Sequence, residues 1–334
     1  MFGAFVCDLS RVDYERISAE LLRKLRGSRS QEAFARRVGV RANAIYTWEA
    51  GRNFPSASRA LTAASRAGVD VVAALERFYG RELSWLGEAE PTSAEGVARL
   101  LQDLRGKSSI LDLSRRSGQS RFTISRWLKG QAEPRLPDLL CLIEAASLRL
   151  LDFLACFVDP RELPSIAEAY RSLEATRAAA YESPWSQAFL RALELSSYRA
   201  LPGHEAGWLA EKLGLSAEEE IRCLSLLERS GQIVRLATGH FTPAEVKAVD
   251  TRRDPEAARR LRLFWAKTAN ERLDQAAPEH GVVAYNLFGV SLADLQRLEE
   301  LQRAYFREMR AIIAESEPAE TVVIATMQMV RLLT

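Results

Sequence analysis

The residues around Trp48 recur around Trp127, without a gap, seventy-nine positions later. Ser30, Arg36, Arg37, Gly39, Ile45, Trp48, Gly51 and Pro55 coincide with Ser109, Arg115, Arg116, Gly118, Ile124, Trp127, Gly130 and Pro134. A solenoid unit runs to about 20 to 50 residues, so a period this long indicates a duplicated small domain. With 334 residues, 47% of them hydrophobic, the chain can bury more than one core, and its length favours two or three domains.

In the first copy Ser30 can cap a helix beginning at Gln31, with Ala33, Phe34 and Val38 sharing a face at helical spacing. Gly39 supplies the left-handed residue that stops it. A second helix is predicted over residues 41 to 50, with Ala44, Ile45 and Trp48 inward; Gly51 closes it and Pro55 forbids its continuation. Leu61, Ala64 and the run from Val69 to Leu75 fit later helices. The second copy repeats this plan in SGQSRFTISRWLKGQAEP, from Ser117 to Pro134, with Leu139, Leu142, Ile143, Leu148, Leu151 and Leu154 completing its core.

Net charge is only +2, but its distribution is uneven. Residues 20 to 60 hold nine Lys or Arg against three Asp or Glu, and residues 105 to 135 hold eight against two. Each repeat core therefore carries +6, and the rest of the chain −10. A cationic front half joined to an anionic back half suggests that the repeats meet a polyanion.

The spacing of Phe34, Gly39, Ile45, Trp48, Gly51 and Pro55 resembles the lambda-repressor-like (Cro/C1, XRE-type) helix-turn-helix DNA-binding family, and Ser117 to Pro134 resembles it more closely still. The resemblance implies two five-helix domains whose second hairpin helix enters the major groove of double-stranded DNA. Its outward positions are Arg41, Ala42, Asn43, Tyr46 and Thr47 in copy one, and Ser120, Arg121, Phe122, Ser125 and Arg126 in copy two. Arg121 or Arg126 can pair with guanine, Asn43 suits adenine, and Phe122 can meet a thymine methyl. Each arginine can equally hold a phosphate. Gln31 stands where the family clamps a phosphate, and Arg52 and Lys129 flank the closing glycines. The second copy departs from the pattern, with Ile110 for Gln31 and Leu128 for Glu49, which weakens the expected clamp there. Two modules in one chain can read adjacent, unlike half-sites without dimerisation; alternatively one of them dimerises or holds a partner.

After Phe157, VDPRELP interrupts helix, SIAEAYRSLEATRAAAYE reads as a long amphipathic helix, and a helix from Trp185 ends near Tyr198. A helix over 205 to 213, a capped helix over 216 to 230 and strands at 232 to 236 and 240 to 242 then make a winged helix with a β-hairpin. Residues 205 to 245 hold four Lys or Arg against seven Asp or Glu, and Glu218, Glu219 and Glu220 open the would-be recognition helix. Carboxylates there stabilise the helix dipole and repel phosphates, which favours a protein-contact or structural role. Beyond it lie a basic helical patch (Arg252, Arg253, Arg259, Arg260 and Arg262), a helix over 291 to 314 and a terminal strand from Thr321. The segments YNLFGVS and TVVIATMQMVRLL resemble the end of an uncharacterised bacterial regulator family (DUF4423), which implies a regulatory or oligomerisation module.

The expected fold is thus mainly α, with domains at 14–85 and 92–158, a helical linker at 159–183, a winged helix at 184–246 and a helical C-terminal region at 250–334. No hydrolase, zincin, P-loop or dinucleotide motif occurs, so no catalytic residue, cofactor or metal site is expected. His204 reads as a cap or surface residue, and Cys7, Cys141, Cys156 and Cys223 as buried structural thiols. Apolar residues around Trp265, Tyr285, Phe288 and Tyr305 can line an effector pocket or form ordinary core. The expected function is a cytoplasmic, nucleoid-associated transcriptional repressor that binds operator DNA and oligomerises or senses a signal through its C-terminal half. The alternative is a regulator whose modules bind a protein partner.

Overall fold

Polar caps at helix starts and glycines at helix stops set the element boundaries of the front half. α1 (Tyr14–Arg26) is capped by Asp13, whose carboxylate accepts from the Arg16 amide at 2.9 Å. The Ser30 hydroxyl accepts from the Ala33 amide at 3.1 Å and opens α2 (Gln31–Val38), which Gly39 ends at φ 79°. α3 (Ala42–Glu49), α4 (Ala57–Ala67) and α5 (Val71–Tyr79) complete the first copy. After a 3-10 turn at Ser84–Gly87, α6 (Ala94–Arg105), α7 (Ile110–Ser117), α8 (Arg121–Leu128), α9 (Leu136–Ser147) and α10 (Leu150–Ala155) repeat the order. α7 and α8 begin and end at the counterparts of α2 and α3 without a shift. Trp48 and Trp127 are buried beneath them, each contributing about 3 kcal/mol of transfer free energy.

The computed structural model describes residues 12–106, 108–244, 254–275 and 284–332. These are mainly helical, and the chain divides into a front unit up to Arg171 and a back unit from Ser172. Among the described residues no helix is long and apolar enough to cross a membrane.

Within the front unit the two copies are paired about a local two-fold. The extended residues preceding α4 and α9 lie antiparallel, Ser56 opposite its own counterpart Arg135. The Ala57 amide donates to the Pro134 carbonyl and the Leu136 amide to the Pro55 carbonyl, both at 2.9 Å. Helix packing is exchanged in the same sense: α1 lies on α9, and its counterpart α6 lies on α4. Such isologous pairing, with each surface meeting its own equivalent, is the signature of two-fold symmetry. α5 and α10 add an edge-to-face pair, Phe78 with Phe153, at 5.4 Å. The duplication is not exact in detail. Gly96 stands where copy one has Ile17, and a Cβ there would lie 2.1 Å from the Glu90 carbonyl oxygen. Leu148, expected in the core, is half exposed, because Ser147 occupies the position of the helix-ending Gly68 and the left-handed cap moves on to Leu148 at φ 55°.

α11 (Ala167–Glu182) carries the chain into the back unit. There α12 (Trp185–Ala192), α13 (Ser196–Arg199), α14 (Trp208–Leu213), α15 (Ala217–Arg229) and the antiparallel pair β1 (Ile233–Arg235) and β2 (Phe241–Pro243) enclose Phe189, Leu193, Tyr198, Leu209, Cys223, Leu227 and Ile233. The single helix expected from Trp185 to Tyr198 is two, because the backbone turns extended at Leu195 and the freed Ser196 amide donates to the Ala319 carbonyl at 2.8 Å. The helix expected from residue 205 starts at Trp208, after Gly207 at φ 88°. α16 (Pro255–Gln275) and α17 (Leu292–Glu315) follow. The expected terminal strand does not form: residues 321 to 332 have no regular secondary structure, and among the described residues β1 and β2 are the only strands. Arg252 and Arg253 of the basic patch, and Cys7, lie outside the described residues. Burial pushes the Cys141 and Cys223 thiols up to about 11, so both stay protonated at neutral pH.

Glu220 corrects the reading of the acidic turn. It is buried, and its carboxylate accepts from the Gly207 amide at 2.8 Å and the Ala210 amide at 2.6 Å, closing the start of α14. His204, expected as a cap or surface residue, is half-buried between Tyr198 (hydroxyl to Nδ1, 3.3 Å), Phe241 and Glu220 (Nε2 to Oε1, 3.5 Å). Desolvation holds its pKa below the usual histidine value, partly offset by the Glu220 charge. We expect Glu220→Ala to lower stability by about 3 kcal/mol in urea unfolding, since two backbone donors lose a charged acceptor. Glu220→Gln, which keeps one acceptor oxygen, should lose less.

Candidate functional site

The exposed faces of α3 and α8 hold the residues singled out by the sequence. α3 follows Gly39 after a short turn and is held from below by Ile45 and Trp48, which leaves Arg41, Ala42, Asn43 and Tyr46 exposed and Thr47 half-buried. Tyr46 is 45% exposed, with the Arg52 guanidinium 5.6 Å from its ring centre. Thr47 turns its hydroxyl back to the Ala44 carbonyl at 2.9 Å. α8 is capped by Ser120, which accepts from the Thr123 amide at 3.0 Å, and is held by Ile124 and Trp127. Arg121, Arg126 and Lys129 are exposed and Ser125 is half-buried. Phe122, at 73% exposure, is an apolar ring left in solvent, with the Arg126 guanidinium 5.8 Å from its centre. Among the described residues none of the Arg41, Arg121 and Arg126 side chains has a hydrogen-bond or ion-pair partner, so their charge is available at the surface.

The two copies anchor these helices differently, which sequence reasoning did not foresee. In copy one Glu49, the last residue of α3, is buried and gathers three side chains. Arg26 donates to its carboxylate at 2.6 and 3.3 Å, Gln31 donates its amide at 2.8 Å, and Arg23 donates to its backbone carbonyl. Gln31 is therefore drawn to the C-terminal end of α3, with its amide nitrogen committed within the chain. In copy two Leu128 replaces Glu49 and packs apolarly, while Gln102, the counterpart of Arg23, donates to the Leu128 carbonyl at 2.6 Å. The carbonyl contact thus survives the exchange of an ion pair for a hydrophobic contact. The signal for it lay in residues 23 and 26, one helical turn apart on α1 and both cationic. At the start of α7 the Ser109 hydroxyl donates to Asp112 at 2.5 Å and holds its carboxyl below the usual carboxylate range.

Elsewhere, Trp185, Phe264 and Trp265 stack edge-to-face at 5.2 to 5.9 Å, with the Arg272 guanidinium 5.7 Å from the Trp185 ring centre. Tyr285, Phe288 and Tyr305 do not join Trp265 in a pocket: all three are exposed, Tyr285 by 91%. Among the described residues no group of three His, Cys, Asp or Glu side chains is placed to hold a metal ion. Glu49→Ala should leave Arg26 and Gln31 without their acceptor; the expected loss is about 2 kcal/mol, read from the urea midpoint.

No curated protein and no solved structure matches the chain. Residues 166–332, half of the chain, match the family described as Domain of unknown function (DUF4423), and the chain belongs to that family.

Proposed function

We propose that the protein is a sequence-specific DNA-binding transcriptional regulator whose front unit carries two helix-turn-helix domains of the lambda-repressor-like type. The observation that carries this reading is the matched presentation of α3 and α8. At one register of a duplicated five-helix plan, each turns outward side chains suited to base edges, and each stands in a stretch with an excess of six positive charges. Arg121, Arg126 and Asn43 supply the donors and acceptors, Phe122 an apolar contact, and Arg52 and Lys129 charges at the helix ends. Binding over a promoter would repress by occlusion.

In the back unit α14, α15 and the β1–β2 hairpin are assigned as a winged helix that serves structure or protein contact. Glu218 is exposed and Glu219 is ion-paired to Arg222 at the opening turn of α15, an unfavourable surface for phosphates. The C-terminal region is assigned to oligomerisation or signal reception. Its exposed apolar residues, among them Leu287, Leu292, Ile312, Ile313, Val323 and Val330, support a surface that is covered in use.

Selection of sites from random duplex DNA by the full-length protein tests the reading. Enrichment of a defined sequence is expected, and no enrichment by folded protein would favour protein-binding modules instead. On the selected duplex, Arg121→Ala and Arg126→Ala should each weaken binding by roughly 5- to 150-fold, with helical content unchanged by circular dichroism. Wild-type affinity should fall at least about a hundredfold between 50 and 200 mM salt, as counterion release requires for several phosphate contacts.

A further inference from the structure

We infer that the front unit is a dimer built into one chain: a single molecule reads two half-sites in inverted orientation, with unlike sequences in the two halves. This rests on the DNA-binding reading above and adds the polarity and stoichiometry of the site. Two modules joined in tandem could stand head to tail, related by a shift along the duplex, and would then read a direct repeat. Head-to-tail contact brings different surfaces together. Here the contact is reciprocal. Ser56 lies opposite its own counterpart Arg135, flanked by the Ala57–Pro134 and Leu136–Pro55 hydrogen bonds of 2.9 Å, and α1 on α9 is mirrored by α6 on α4. The bridge lies seven residues beyond the end of α3 and seven beyond the end of α8, so the two reading helices are tied to the dyad by equal connections. A two-fold pair presents its readers in opposite senses along the duplex, matching the dyad that relates the antiparallel strands.

The halves must differ because the readers do. Arg41, Ala42, Asn43, Tyr46 and Thr47 face Ser120, Arg121, Phe122, Ser125 and Arg126 at corresponding positions, with no identity among the five pairs. An inverted arrangement is therefore hidden in the wild-type site, and exchanging the readers reveals it.

The test uses the full chain in two forms. The first carries Ser120→Arg, Arg121→Ala, Phe122→Asn, Ser125→Tyr and Arg126→Thr, which give copy two the readers of copy one. The second carries the reverse set, Arg41→Ser, Ala42→Arg, Asn43→Phe, Tyr46→Ser and Thr47→Arg. None of the ten positions is fully buried, so at least one form should fold. Site selection should return, for each folded form, a palindrome built from one wild-type half, bound at least about tenfold tighter than the wild-type site. Titration of the wild-type protein at concentrations far above the dissociation constant should reach equivalence at one duplex per chain. A direct repeat, a lone half-site, loss of any selected repeat in both exchanged forms, or equivalence at two chains per duplex would overturn the inference while leaving the DNA-binding reading intact. Failure of the wild-type protein to enrich any sequence would overturn both.

Discussion

The arrangement of the front unit depends on two backbone hydrogen bonds and the helix exchange around them. The Ala57 and Leu136 amides stand in the first turns of α4 and α9, where a helix leaves its N–H groups without an internal partner, and the Pro55 and Pro134 carbonyls lie just before those helices. Pairing them with each other satisfies those groups and at the same time sets the register of one copy against the other. The apolar faces of α1, α4, α6 and α9 then close over a shared core, with Leu139, Leu140 and Ile143 fully buried. A lone copy would leave α1 and α4 partly uncovered, and the duplication solves this by giving each copy the other as its cover.

Two solutions for holding an outward helix stand side by side in this one molecule. Copy one ends α3 on a buried carboxylate clasped by Arg26 and Gln31; copy two ends α8 on Leu128 in an apolar setting. Buried ion pairs and well-packed apolar residues are close in net stability, because desolvation offsets most of the Coulombic gain. The exchange took Gln31 and Glu49 together to Ile110 and Leu128, while the arginine was kept, Arg26 having Arg105 as its counterpart. The shared requirement is a donor from the first helix to the last carbonyl, met by Arg23 in one copy and Gln102 in the other.

The helices of the front half were legible because caps, glycines and a buried tryptophan are local signals. Ser30 and Gly39 set where α2 begins and ends, and Ile45 and Trp48 set which face of α3 is buried. The dyad was not legible, since the pairing of Ser56 with Arg135 is made by backbone groups that every residue carries. Candidate contact residues were readable to the extent that exposure follows helical period; the diversion of Gln31 to Glu49 was not, because it spans eighteen positions. In the back unit, Glu220 misled for the opposite reason. Composition counted it among solvated charges, whereas its position, facing the first turn of α14, made it an internal cap. The final segment has the residues of a strand, but strand assignment needs a partner, and among the described residues none is paired with it.

Covalent fusion of the two copies also frees them from a constraint that binds ordinary symmetric dimers. When one gene product supplies both halves of a pair, every substitution is made twice, and any change in what one half recognises is forced on the other. Here each half is encoded separately, so Phe122 and Asn43 can differ while the residues that seat the outward helix within each copy are kept. Divergence at all five corresponding outward positions, set against the retained Gly39, Ile45, Trp48 and Gly51 with their counterparts, is the record of that independence.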